Sequence, residues 1–206
     1  MIIFDMDGTL WDTVDVSYEA AKRVADKYDE VKDISRETIQ KGMGSSRVEN
    51  GFNFMPYLEP DKRDFYMGKI NEEVMKLIEE KGARIYDGVV DTIKELSKEY
   101  KLGIITNNND KYVELFIKFA GLDGYITDYL GTSGRDISKT DAIRIMCERN
   151  NEPHSYYVGD INKDKLATSA AGQTFIHARY GFSPDLVCDY HIDNFSELKD
   201  LIKKIP

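Results

Sequence analysis

Apolar residues recur along this chain in two rhythms, and the change between them divides it. Residues 2–5 open with a continuous apolar run, Ile2-Ile3-Phe4, which reads as a fully buried strand. From residue 14 the spacing becomes helical. Val14, Tyr18, Ala21, Val24, Ala25 and Tyr28 mark one helix over 14–28. A second is predicted over 35–41 with Ser35 as its N-cap, then a Gly/Ser loop over 42–46. A long helix follows over 61–81, with Phe65, Ile70, Val74, Leu77 and Ile78 as its apolar stripe. After the Asp87-Gly88 turn the rhythm alternates. Helices are predicted over 89–100, 110–120, 139–149, 163–171 and 196–203, and strands over 102–106, 125–130, 155–158 and 174–178.

Strands alternating with helices predict an α/β fold, a Rossmann-like doubly wound parallel sheet. The helical block interrupts it after the first strand. The expected organisation is a core from residues 1–13 and 83–206, with an inserted α-helical cap over 14–82.

Composition narrows the function. At 206 residues and 41% hydrophobic, the chain can bury one good core plus a small lobe. A net charge of −9 argues against nucleic acid, whose phosphates need a basic surface. It does not exclude a small phosphate, because a metal ion and a few donors can offset the charge in one pocket. Cys147 and Cys188 form no CxxC pair, so a reduced, cytoplasmic setting is expected. With a strand read as beginning at Ile2, no signal peptide is expected, and no apolar run has the length of a membrane span. Oligomeric state has no signature here.

In doubly wound sheets ligands bind at the carboxyl ends of the strands, so the residues there matter most. The first strand runs into Asp5-Met6-Asp7-Gly8-Thr9. Residues two apart on a strand share a side, so Asp5 and Asp7 converge while Met6 turns away. Two adjacent carboxylates repel unless a cation sits between them, and Mg²⁺ suits oxygen ligands near phosphate. An acidic turn is the plainer alternative. The second strand ends in Thr106-Asn107, which could serve an anion or cap the next helix. Another apolar run ends in Gly159-Asp160, with Asp164 four residues on in the first turn of a helix, where a negative charge is favoured anyway. Lys139 opens a helix, where a cation opposes the dipole unless an anion lies nearby. It could also be solvated, with Arg135 or Lys163 in its place.

The order of these signals resembles the four-motif pattern of the haloacid dehalogenase superfamily: DxDGT, a strand-end Thr, a Lys, then GDxxxD. Tyr86-Asp87-Gly88-Val89 is similar to the family's Pro-Gly-Val turn, with Asp for Pro. Ala178-Arg179-Tyr180-Gly181-Phe182 resembles the loop after the fifth strand in phosphoglycolate-phosphatase-like members, a subgroup near the β-phosphoglucomutases. Lys139-Thr140 departs from the frequent Lys-Pro.

The resemblance implies a phosphatase for a small phosphorylated metabolite. Asp5 is then the nucleophile and forms an aspartyl-phosphate. Asp7 is the general acid and base, protonated at the first step. Mg²⁺ is held by Asp5, the Asp7 backbone carbonyl and Asp160, and Asp164 orders that shell or binds Lys139. Thr106, Asn107 and Lys139 hold phosphoryl oxygens, and Gly8 lets the backbone turn beside them. In the cap, Ser46 and Arg47 are expected to meet the leaving group, unless their loop merely joins two helices. Trp11 walls the leaving-group pocket or, as preferred, packs. His154, His177 and His191 look scattered. A sugar phosphomutase is the second reading, but such mutases carry a histidine early in the cap, and the stretch 13–17 has Ser17 and none. A dehalogenase needs neither Asp7 nor the metal shell. A non-catalytic protein would be expected to lack Asp5, Asp7 or Asp160.

Overall fold

A computed structural model describes residues 1–205. The chain forms two compact units, Met1–Trp11 joined with the residues from Ile85 onward, and Asp12–Arg84. Two-residue strands, β2 (Trp11–Asp12) and β3 (Arg84–Ile85), pair with each other where the chain passes between the units.

The first unit is built on a six-stranded sheet. Its centre is β1 (Ile2–Phe4), with every residue buried. It is flanked by β4 (Leu102–Thr106) and β6 (Tyr156–Gly159), both parallel to it, with Ile3 opposite Gly103 on one side and Tyr157 on the other. The sheet continues outward to β5 (Asp128–Gly131) beyond β4, and to β7 (Thr174–Ala178) and β8 (His191–Ile192) beyond β6. All these pairings are parallel, so the alternating pattern is realised as a doubly wound α/β sheet. The chain fills β4 and β5 first, then crosses to β6. The topological switch therefore lies at β1, and the carboxyl ends of β4, β1 and β6 face a common crevice.

Helices α5 (Val89–Leu96), α6 (Asp110–Ala120), α7 (Lys139–Asn150), α8 (Asn162–Ala171) and α9 (Leu198–Ile202) belong to this unit. α7 buries Ala142, Ile143, Met146 and Cys147 in a cluster with Ile3, Ile105 and Tyr157. Trp11 is fully buried, with its ring edge-on to Tyr112 at 5.2 Å and to Phe116 at 5.1 Å, so it packs on α6.

The second unit holds α1 (Val14–Lys27), α2 (Arg36–Gly42), α3 (Arg47–Phe54) and α4 (Pro60–Lys81). The helix at 47–54 was not expected. Its Ser46–Glu49 capping box was readable, but Val48 and Phe52 are exposed and give no buried stripe. On α4 the expected Ile70, Val74, Leu77 and Ile78 are buried, joined by Tyr66 and Met67, while Phe65 is half exposed and falls outside the stripe. α5 stops at Leu96 because the backbone tightens into turns through Tyr100. Strand β5 starts three residues late, at Asp128, and β8 escaped prediction because two residues carry no period. Among the described residues no helix is long and apolar enough to cross a membrane.

Ile104 sits in the middle of β4 with no exposed surface. Ile104→Ala is expected to lower the unfolding free energy by about 2–5 kcal/mol in urea titrations. A loss below about 1 kcal/mol would contradict its place in a close-packed interior.

Candidate active site

The crevice at the switch point gathers most of the strand-end residues singled out by sequence. Asp5 follows β1 directly and its N–H donates to the Val158 carbonyl at 2.9 Å, so the neighbouring strand fixes its backbone. The chain then folds tightly. Leu10 N–H donates to the Met6 carbonyl at 2.8 Å and Gly8 N–H to the Trp11 carbonyl at 2.9 Å. Gly8 has φ +87°, and a Cβ there would stand 2.2 Å from Asp160 Oδ2, so only glycine fits. Met6 is fully buried, and Asp7 lies near enough for its charge to act on Asp5.

Lys139 is the first residue of α7, behind a Ser138 N-cap. Its ammonium donates to Asp5 Oδ1 at 2.7 Å and to Asp164 Oδ1 at 2.6 Å. Of the two alternatives, Arg135 is committed to Asp110 and the Gly131 carbonyl, and Lys163 is exposed. Asp164 has no exposed surface, and its second oxygen accepts the Ile161 N–H at 3.3 Å. The anion that justifies a lysine in a helix's first turn is therefore a pair of buried carboxylates.

Asp160 follows β6 and is also buried. Its Oδ2 accepts the Phe182 N–H at 2.7 Å, whereas its Oδ1 is buried with no hydrogen-bond partner. The stretch Tyr180–Phe182, whose sequence resembles a family loop, supports the site directly. Tyr180 donates its hydroxyl proton to the Thr9 carbonyl at 2.7 Å. Close approach at Gly181, where a Cβ would lie 2.4 Å from the Gly8 carbonyl oxygen, brings this loop onto Asp160.

The electrostatics follow from three buried acids sharing one cation. Burial pushes the Asp5 carboxyl up to about 7, with repulsion from Asp164 and Asp7 adding and Lys139 opposing. Burial also pushes Asp160 well above the usual carboxylate range, reinforced by Asp164 and Asp5 and opposed by the Phe182 N–H. For Lys139 burial acts downward, but Asp164 and Asp5 outweigh it and hold the ammonium well above the ordinary lysine value. One oxygen each of Asp5, Asp160 and Asp164 lies within 4.8 Å of the others. An excess of buried negative charge, an unpartnered carboxylate oxygen and an all-oxygen donor set fit a hard divalent cation such as Mg²⁺.

The other expected residues divide. Thr106 ends β4, buried, and its hydroxyl accepts the Asn108 N–H at 3.1 Å. Asn107 follows, half-buried, 3.4 Å from the Thr132 hydroxyl. Neither caps α6, because Asn109 does. Ser46 N-caps α3. Arg47 pairs with the Asp64 carboxylate at 2.9 Å and donates to its carbonyl at 2.6 Å, so both are engaged within the helical unit. Of the three histidines only His177 is buried, in β7. Sequence reasoning missed Tyr112, whose hydroxyl reaches Asp7 Oδ1 at 2.6 Å across a separation of 105 residues.

Residues 2–178 match the family model described as haloacid dehalogenase-like hydrolase. The chain is 24% identical to a phosphoglycolate phosphatase of Photobacterium profundum, over 98% of this chain and 95% of that one. It is 27% identical to the pyrophosphatase PpaX of Bacillus pumilus, over 83% and 79%. In three dimensions it resembles a crystal structure described as a predicted phosphoglycolate phosphatase from Haemophilus somnus, with TM-score 0.85 at 18% identity, covering 98% of this chain and 97% of that chain.

Lys139 offers a direct check of this charge balance. Lys139→Met is expected to lower stability by about 3–5 kcal/mol in urea titrations of the metal-free protein, since Asp5 and Asp164 lose their buried counter-charge. A change under about 1 kcal/mol would mean the ammonium does not stabilise the carboxylates.

Proposed function

The chain belongs to the haloacid dehalogenase-like hydrolase family, and we propose that this phosphatase cleaves a small phosphate monoester through an aspartyl-phosphate on Asp5, with Mg²⁺ as cofactor. The observation that carries the reading is the Lys139 ammonium set between Asp5 and Asp164, beside an Asp160 oxygen with no partner.

Phosphate esters repel an incoming anion, so the site must neutralise the phosphoryl oxygens and hold attacker and leaving group in line. Lys139, the Thr106 hydroxyl and the backbone around Asn107 do this from the chain's side. Asp5 attacks phosphorus, and the bond from phosphorus to the leaving oxygen breaks. Asp7, protonated, gives that oxygen its proton. Water then attacks the phosphorus of the acyl phosphate, Asp7 takes the proton back, and Asp5 is regenerated as a carboxylate. Asp164 acts through Lys139, keeping the ammonium charged and aimed at the phosphoryl position. Asp5, the Asp7 main-chain carbonyl and Asp160 would hold Mg²⁺, which would supply further neutralisation of phosphoryl charge.

The helical unit is assigned to leaving-group selection, with Ser46 and Arg47 as its candidate contacts. The first turn of α1 carries Ser17 rather than a histidine, which favours transfer to water over transfer to a second sugar hydroxyl. The negative net charge suits a small metabolite rather than a nucleic acid. Phosphoglycolate and pyrophosphate, the substrates in the relatives' names, are the first two to assay.

Hydrolysis of p-nitrophenyl phosphate is expected to require Mg²⁺ and to be inhibited by Ca²⁺, whose looser coordination does not hold in-line geometry. Asp5→Asn should cost about a thousandfold or more in kcat with the circular-dichroism spectrum unchanged. Full activity in Asp5→Asn, or full activity after chelation, would sink the reading.

A further inference from the structure

Tyr112 belongs to none of the four motifs, yet it is held from three directions. Its backbone N–H donates to the Asn109 side chain at 3.1 Å, which fixes it in the first turn of α6. Its ring packs against Trp11 at 5.2 Å and 69°. Its hydroxyl lies 2.6 Å from Asp7 Oδ1. The residue is 2% exposed, so the hydroxyl is in a place where a missing partner would be costly.

We propose that Tyr112 is a positioning residue for Asp7, holding the carboxyl so that the acid proton leaves from, and returns to, Oδ2. The proposal rests on the reading of Asp7 as general acid and base. A carboxylate can only accept, so when Asp7 is ionised Tyr112 must be the donor to Oδ1. If that bond is to survive both halves of the reaction unchanged, the mobile proton belongs on the other oxygen. In the first step it passes from Oδ2 to the leaving oxygen as the ester bond breaks. In the second, Oδ2 takes one proton from the attacking water. Tyr112 keeps its own proton throughout.

The geometry explains why the aromatic block lies where it does. The tight turn over 6–11 brings Trp11 back beside Asp7, in an isolated bridge with it. Trp11 also lies 5.1 Å from Phe116, one helical turn beyond Tyr112 on the same face of α6. The segment that presents the acid thus carries the ring that seats the phenol orienting it.

Misaimed acid catalysis matters most for leaving groups that need protonation. Tyr112→Phe keeps the ring and removes only the hydroxyl. The measurement is kcat/KM for phenyl phosphate and for p-nitrophenyl phosphate, whose leaving group departs readily without a proton. The ratio of the two is expected to fall about tenfold in Tyr112→Phe, and further in Asp7→Asn. Inhibition by inorganic phosphate should stay within about twofold, because phosphate binding does not use the phenol. An unchanged ratio in Tyr112→Phe, whether both substrates slow together or neither does, overturns the proposal when Asp7→Asn still lowers it. An unchanged ratio in Asp7→Asn as well overturns the assignment of Asp7 as acid, and the proposal with it. Loss of phosphate inhibition in Tyr112→Phe assigns the phenol to general site integrity and also overturns it.

Discussion

Three carboxylates and one ammonium packed out of water at the ends of β1 and β6 are the constraint from which the rest of this site follows. Asp5, Asp160 and Asp164 are all buried, and Lys139 has only 10% of its side chain exposed. Burying one unpaired charge costs several kcal/mol, so such a group persists only where each member has a counter-charge or donors. Asp5 and Asp164 have Lys139, and Asp164 also has the Ile161 N–H. Asp160 has a single N–H donor and one oxygen with no partner. The imbalance left over has the sign and the ligands that a divalent cation corrects. The same burial and crowding that fit the site to a cation also raise Asp5 toward neutrality, so its charge and the cation fit rest on one electrostatic balance.

Space is the second requirement. The carboxylates can crowd together only because the backbone around them carries no side chains in the way. Gly8 and Gly181 each bring main chain to within contact of Asp160, where even a methyl group would overlap. The turn after β1 and the loop after β7 thereby both close on the acid, and Tyr180 ties them through the Thr9 carbonyl. On the other flank, Trp11, Tyr112 and Phe116 give the turn an apolar backing. The acidic turn is therefore tied by a hydrogen bond to the loop after β7 and packed against aromatic rings of α6.

Much of this was legible because it is local or ordered along the chain. A buried central strand needs a continuous apolar run, and acids immediately after it have few places to point, so Asp5, Asp7 and Asp160 could be found from residues alone. Lys139 was readable from its awkward place in a helix's first turn, although choosing it over Arg135 needed the Asp110 pair to be seen. Other features left no pattern. β8 is too short for a period, and α3 hides behind a Gly/Ser stretch with exposed Val48 and Phe52. Asn109, immediately before the helix that the sequence already places at 110–120, takes the capping role that Thr106 or Asn107 was offered. Tyr112 was invisible for a different reason: its partner is 105 residues away, and a tyrosine on a helical stripe reads as core.

The central claim is that Asp5 carries the phosphoryl group between the two half-reactions. Rapid acid quench during turnover of p-nitrophenyl phosphate, followed by borohydride reduction, converts an aspartyl phosphate to homoserine. Peptide mass spectrometry should then find homoserine at position 5 and aspartate at position 7. Continued turnover with homoserine absent from position 5, or appearing at another acid, would contradict the account.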